Sequence, residues 1–140
     1  MKKFLFCLLF FLFGFLLFST TYYVRTDGGT GNQCNGLSNS PYPGSGENQN
    51  CAWSHPFWAL NEYGEWKISG GDTLIIGQGS YIIGYGAPNT SSWCGEDYAY
   101  SCTLPPIPSG TQSSKTKILG AGYDSGCSNP PELWGTQRVY

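Results

Sequence analysis

Basic residues and histidine are scarce in this sequence of 140 residues, which has seven Lys and Arg and one His. A nucleic-acid interface needs clustered positive charge against the phosphates, and no such cluster occurs, so we expect no nucleic-acid partner. A structural zinc site needs four nitrogen or sulfur ligands. With one His and no CxxC pair, the sequence predicts no metal site and no other cofactor.

Charged residues are also few, at 11% of the chain, whereas glycine occurs 20 times and proline nine times. A helical bundle needs long stretches without glycine or proline and many charges on its outer faces. The composition therefore argues against a bundle and favours a turn-rich, all-β protein.

The longest apolar run covers fifteen residues, from Phe4 to Phe18, and follows Lys2 and Lys3. A membrane-spanning helix needs about 18 to 20 apolar residues, so this run fits a secretory signal better. We assign residues 1–20 as a signal peptide and expect a secreted, periplasmic or cell-surface protein. No small-x-small pattern precedes Thr21, so an uncleaved anchor is the alternative, and membrane contact is expected only through this segment.

Removal of residues 1–20 leaves five basic and nine acidic residues, a formal balance of minus four, and five of the six cysteines. Cysteines of an exported chain are expected to oxidise, although the sequence does not determine which pair. We favour Cys34 with Cys51 and Cys94 with Cys102, because each pair closes a turn-rich loop with little core of its own. Each bridge would stabilise by about 2 to 3 kcal/mol, and Cys127 would remain unpaired.

The rest of the chain divides into two parts. Residues 21–69 hold a first strand, which begins at Tyr22 in "YYVRTDGG" and is stopped by Asp27-Gly28-Gly29, then the loop of the first cysteine pair and a short capping helix. That helix begins at Pro56, is capped by Ser54 or His55, and ends near Gly64. Residues 70–140 hold strands at Thr73–Ile76, 81–83 and 116–119, with another at 138–140.

Two glycine-fenced segments resemble each other: "GGDTLIIGQGSY", from Gly70, and "KTKILGAGYD", from Lys115. Alignment of Thr73 with Thr116 pairs Ile75 with Ile118 at an offset of 43 residues. Short β-branched strands that recur with glycine corners are typical of stacked parallel coils. We therefore expect the two segments to lie parallel, one above the other.

The succession "TYYVRTDGG", "PFWAL" and "GGDTLIIGQGSY" resembles the amino-terminal region of secreted right-handed parallel β-helix proteins of the pectate-lyase-like superfamily. The resemblance implies an all-β, right-handed parallel β-helix (solenoid), here an N-terminal cap with a short capping helix and the first two or three coils. It also implies polysaccharide as ligand, with calcium as a cofactor only on this ground. The catalytic residues stay unknown, since no basic residue stands in a family motif and the downstream coils would be missing.

Four features are candidates for chemistry. The site-like cluster is a set of candidate ligand contacts around the second cysteine pair: Trp93, Glu96, Asp97, Tyr98 and Tyr100. Its aromatic rings can stack on sugars and its carboxylates can accept hydrogen bonds from hydroxyls, although packing against the fold explains the rings as well. For His55 we expect capping or packing rather than general-base work, and for Asp72 a hydrogen bond to its own turn. Asn89-Thr90-Ser91 is a glycosylation sequon.

Three functions remain open from the sequence. The first is the opening part of a longer exported protein that binds or processes polysaccharide, as a lyase or hydrolase. The second is a non-enzymatic surface or adhesion protein, and the third is a small disulfide-bridged lectin. We favour the first, because the chain stops in what reads as a strand without a capping element.

Overall fold

The structure is a computed structural model and describes residues 19–90, 94 and 104–135. The predicted signal peptide, apart from its last two residues, and the strand predicted at 138–140 lie outside these ranges. Within them, no helical segment has the length and apolar character that crossing a bilayer requires. The elements are β1 (Thr21–Gly29), a 3₁₀ helix (Pro56–Ala59), β2 (Thr73–Ile76), β3 (Ser80–Ile82), β4 (Lys117–Gly120) and β5 (Glu132–Trp134).

The predicted right-handed parallel β-helix is wrong. In the described ranges, five short strands form one parallel sheet in the order β1-β2-β4 and a second parallel sheet of β3 and β5. Neither sheet closes, and no long stack of coils is present. The four strands after β1 are only three or four residues long. Prolines at 105, 106 and 108 also remove backbone donors from the connection before β4. The result is a mixed fold in which strands predominate.

The two glycine-fenced segments do lie side by side and parallel, but one residue out of the predicted register. Leu74 pairs with Ile118, and Ile75 pairs with Leu119. Leu74 is buried and Ile75 is only half-buried, so Leu74 and Ile118 share the core side of the sheet. Since side chains alternate between the two faces, a shift by one residue would have turned Ile118 outward. Burial of Leu74 and Ile118 on one side sets the register. The sequence alignment of Ile75 with Ile118 therefore predicted a register that is wrong by one residue.

β1 continues through the glycines that were predicted to end it. The N–H of Gly29 donates to Ala52 O at 2.9 Å, and the N–H of Tyr23 donates to Gly36 O at 2.8 Å. Gly28 is needed there because an added Cβ would lie 2.6 Å from Trp53 O. The loop at 30–52 therefore occupies the edge of β1 that β2 leaves unpaired.

Trp53 holds this loop in place. Its ring is 2% exposed, stacks on Tyr22 with 5.3 Å between ring centroids, and donates from Nε1 to Cys34 O at 2.8 Å. The predicted Cys34–Cys51 disulfide is confirmed, with 5.1 Å between the Cα atoms. Indole and disulfide together fasten the loop to the core. Around them pack the other buried residues of this cluster: Val24, Ala59, Ile68, Leu74, Ile76 and Tyr81.

The predicted capping helix is a single 3₁₀ turn and is shorter than expected. His55 caps its start with the ring nitrogen Nδ1, which accepts from the N–H of Phe57 at 3.1 Å. The turn ends at Ala59, because Leu60 has an extended backbone (φ −103°, ψ 152°) and bridges to Trp66. Gly64 lies in the next turn instead of ending the helix, so the expected lid is reduced to one turn.

Breaking the Cys34–Cys51 bridge should destabilise the fold. Replacement of both cysteines by alanine is expected to lower the free energy of unfolding by about 3 kcal/mol, the value for a loop of this length. Urea unfolding followed by tryptophan fluorescence measures this change. Cys127→Ala is the matched control, since Cys127 is exposed and unpaired, and it should stay within about 0.5 kcal/mol of the parent. A double variant as stable as the parent would contradict the role given to the bridge.

Candidate functional site

A groove of about 380 Å³ lies beside the second half of β1. β1 supplies one wall, the loop at 30–52 a second, and the corner between β2 and β3 a third. We call it the β1 groove; it is lined by Arg25, Thr26, Asp27, Asn39, Gly77, Gln78 and Ala121.

Arg25 and Asp27 form a bidentate salt bridge in this groove. Nε of Arg25 lies 2.7 Å from Oδ1 of Asp27, and Nη2 lies 2.9 Å from Oδ2. Positions i and i+2 of a strand share one face, so β1 brings the two side chains together without any turn. The hydrogen bonds from Arg25 hold the pKa of Asp27 below its ordinary value, and Asp27 raises the pKa of Arg25. The pair therefore stays doubly charged and electrically balanced.

Two amide side chains extend the polar lining from other elements. Oδ1 of Asn39 accepts from Nη1 of Arg25 at 3.4 Å, which ties the loop to β1. Gln78 comes from the corner between β2 and β3 and is exposed. Each amide offers both donors and an acceptor, so the groove presents hydrogen-bonding groups of both kinds.

The backbone at Gly77 fixes the wall that carries Gln78. The N–H of Gly77 donates to Val24 O at 2.7 Å, and the Tyr81 hydroxyl donates to Gly77 O at 3.1 Å. A Cβ at position 77 would lie 2.7 Å from the same Val24 oxygen, so glycine is required by this close approach. Burial, and then the charge of Asp27, raise the pKa of Tyr81, which keeps its hydroxyl protonated as a donor.

The site predicted from the sequence is elsewhere. Trp93, Glu96, Asp97, Tyr98 and Tyr100 all lie outside the described residues, so that cluster remains a prediction. Cys94 is buried and disulfide-bonded, whereas its predicted partner Cys102 lies outside the described ranges.

The sequence analysis did not find the β1 groove. The available signal was the spacing of Arg25 and Asp27, which places opposite charges on one face of a strand. It was hidden because Asp27 was interpreted as the end of that strand. Asn39 and Gln78 carry no local signal, since their proximity depends on contacts between distant parts of the chain.

His55 has the structural role that the sequence predicted. Its ring is 9% exposed and meets Phe57 and Tyr81 edge-on, with centroids 5.5 and 5.6 Å away. Burial lowers the pKa of His55 from 6.5 to about 4, and the nearby Ile82 backbone offsets only a small part of that effect. Nε2 is buried without a hydrogen bond of good geometry. A neutral ring enclosed in this way serves packing and capping, not proton transfer with a ligand.

Asp72 and Asn89 also serve the backbone. Asp72 is buried and accepts from the N–H groups of Ser69 and Thr20, each at 2.8 Å; the first of these is the predicted bond to its own turn. Nδ2 of Asn89 lies 3.1 Å from Phe57 O and 2.9 Å from Leu60 O, at the end of the 3₁₀ helix. That nitrogen is the atom of the sequon to which a glycan would attach, so glycosylation would compete with this cap.

In the part of the chain that the structure describes, no three His, Cys, Asp or Glu side chains come together as a metal site would need. Comparison of the chain with protein-family models, with curated proteins and with solved structures finds no match in any of the three. The resemblance seen in the sequence therefore stays a prediction, and the function is inferred from the geometry and charge of the groove.

The buried His55 should make the protein sensitive to mild acid. The unfolded chain binds a proton near pH 6.5 and the folded chain only near pH 4. The contribution of neutral His55 to the free energy of unfolding is therefore fully present above about pH 6.5. It declines as the pH falls and is lost below about pH 4. The loss is up to about 3.5 kcal/mol, at about 1.4 kcal/mol per pKa unit. Urea unfolding at several pH values measures it.

His55→Asn is the matched control, because asparagine keeps an acceptor for the cap and does not titrate. The difference in stability between the parent and His55→Asn should change between pH 6.5 and 4. A constant difference across that window would show that His55 titrates normally in the folded protein.

Proposed function

We propose that this protein is a binding module for neutral polysaccharide or a similar polyhydroxylated ligand, held in the β1 groove. The observation that carries the proposal is the charge-balanced Arg25–Asp27 pair in a groove that also contains Asn39 and Gln78. A volume of about 380 Å³ falls within the range of small-molecule sites. Export, as the apolar segment at 4–18 predicts, would expose the groove to extracellular glycans.

The charge balance favours a neutral ligand over an acidic one. Asp27 already occupies two of the five N–H donors of Arg25 and cancels its charge. An incoming carboxylate would have to displace Asp27 or be repelled by it, and a hydroxyl group meets neither obstacle. Acidic polysaccharide is therefore the less favoured ligand.

The groove offers the mixture of groups that sugar hydroxyls need. A hydroxyl both donates and accepts, and so do the amides of Asn39 and Gln78. Tyr23 is outside the groove lining, but it lies two residues before Arg25 on the same face of β1 and is half-buried. A ligand longer than the groove would bring the apolar side of a sugar to this ring.

Calorimetric titration of the full chain with neutral and uronic-acid oligosaccharides tests the proposal. A detergent without a sugar headgroup keeps the apolar N-terminal segment in solution and does not compete for the groove. Gln78→Ala should weaken binding of the neutral ligand about fivefold, since one hydrogen bond contributes about 1 kcal/mol. Gln112→Ala is the matched control, because Gln112 is exposed and lies outside the groove.

Asp27→Asn probes the charge argument separately. The variant leaves the positive charge of Arg25 unbalanced, so we expect stronger binding of the uronic-acid series. Failure of every glycan to bind, or affinities that neither Gln78→Ala nor Asp27→Asn changes, would contradict the proposal. A purely structural or adhesive role for the described part would then be the better account.

A further inference from the structure

The two edges of the three-stranded sheet differ in what lies beside them. At the β1 edge, Tyr23 and Gly29 donate to the loop at 30–52, so the backbone groups there are used. At the opposite edge, the N–H of Lys117 donates to Asp72 O, just before β2, and the N–H of Ala121 donates to Ile76 O at the end of β2. Because successive residues of a strand point their backbone groups to opposite sides, those of Ile118 and Gly120 face away from β2. Among the residues that the structure describes, β4 therefore presents an open edge, and β1 does not.

The layer around β4 also exposes apolar side chains. β4 is an edge strand of the three-stranded sheet, and β5 is an edge strand of the two-stranded sheet. In β5, Leu133 is 52% and Trp134 59% exposed. Tyr123, in the turn after β4, is 52% exposed. Open backbone groups beside an apolar surface form a template for pairing with another strand.

We propose that a second copy of this chain pairs with β4 through its own β4, antiparallel and across a two-fold axis at Leu119. The proposal is independent of the β1 groove as a ligand site. In this register Ile118 of each copy stands opposite Gly120 of the other. The outward N–H and C=O groups of these two residues then exchange four hydrogen bonds, the pattern of two hydrogen-bonded pairs in an antiparallel ladder. Gly120 O already accepts from the N–H of Tyr123 at 3.2 Å, so it would accept the bond from the partner through its second lone pair.

The side chains agree with this register. The two Leu119 side chains meet at the axis as a non-hydrogen-bonded pair, the kind in which side chains approach most closely. Leu119 is half-buried and lies on the outer face of the sheet, beside Ile75. Lys117 stands opposite Ala121, so no like charges oppose each other along the edge.

The closed β1 edge explains why the partner is a second copy related by a two-fold axis. Head-to-tail stacking would need the β4 edge of one molecule to meet the β1 edge of the next, and the loop at 30–52 occupies that edge. An isologous contact uses the same surface twice and closes after two copies. The structure thus favours a dimer over a fibre.

Sedimentation velocity of the full chain in a mild detergent, over a range of concentrations, tests the proposal. All variants carry Cys127→Ser, so that the exposed thiol cannot cross-link two copies. The parent should move from monomer to dimer as concentration rises. Leu119→Lys and Leu119→Glu should each remain monomeric at concentrations where the parent is dimeric, because like charges would then meet at the axis.

An equimolar mixture of Leu119→Lys and Leu119→Glu should recover the dimer, which shows that both variants fold and that the axis passes through this residue. Ile75→Lys is the matched control on the central strand of the same face, and it should dimerise as the parent does. A parent that is monomeric throughout would overturn the proposal. So would open-ended assembly, or a dimer that survives Leu119→Lys, as expected if the N-terminal segment or another surface held it.

Discussion

The fold depends on the attachment of one loop to one strand edge. Trp53 is buried beneath β1, stacks on Tyr22 and donates to Cys34 O, and the disulfide to Cys51 fixes the loop around it. The four strands after β1 are only three or four residues long, so their hydrogen-bonded ladders alone stabilise the fold little. The indole of Trp53 and the disulfide supply the rigidity that longer strands would give. With this loop in place, β1 becomes a firm template for β2, and β2 for β4.

The same attachment makes the two edges of the three-stranded sheet different. It carries Asn39 to the side of Arg25 and so completes the β1 groove. It also occupies the backbone groups of Tyr23 and Gly29, which leaves β4 as the open edge of the three-stranded sheet within the described ranges. The proposed ligand site and the proposed surface for self-association thus depend on one structural feature, although each could function without the other.

Local signals in the sequence predicted local features well. β2 was placed at its observed bounds, because glycine on both sides of an apolar run marks a short strand. The Cys34–Cys51 bridge followed from a loop without a core of its own. Prediction from the sequence failed where contacts between distant segments determine the structure. Gly28 and Gly29 continue β1 only because Ala52 O accepts from the N–H of Gly29. The likeness of β2 to β4 indicated parallel neighbours, but two similar strands do not establish a β-helix. In the described ranges the strands form two small open sheets and no long stack of coils.

Amide hydrogen exchange measured by NMR tests the closed β1 edge most directly. The account predicts that the amides of Tyr23 and Gly29, whose acceptors belong to the loop, are protected as strongly as that of Ile75 in the central strand. Native-state protection of this kind reports hydrogen bonds that open only with the fold. Exchange of Tyr23 and Gly29 as fast as that of the exposed loop residue Ser45 would show that the loop does not seal the edge, and would contradict the account.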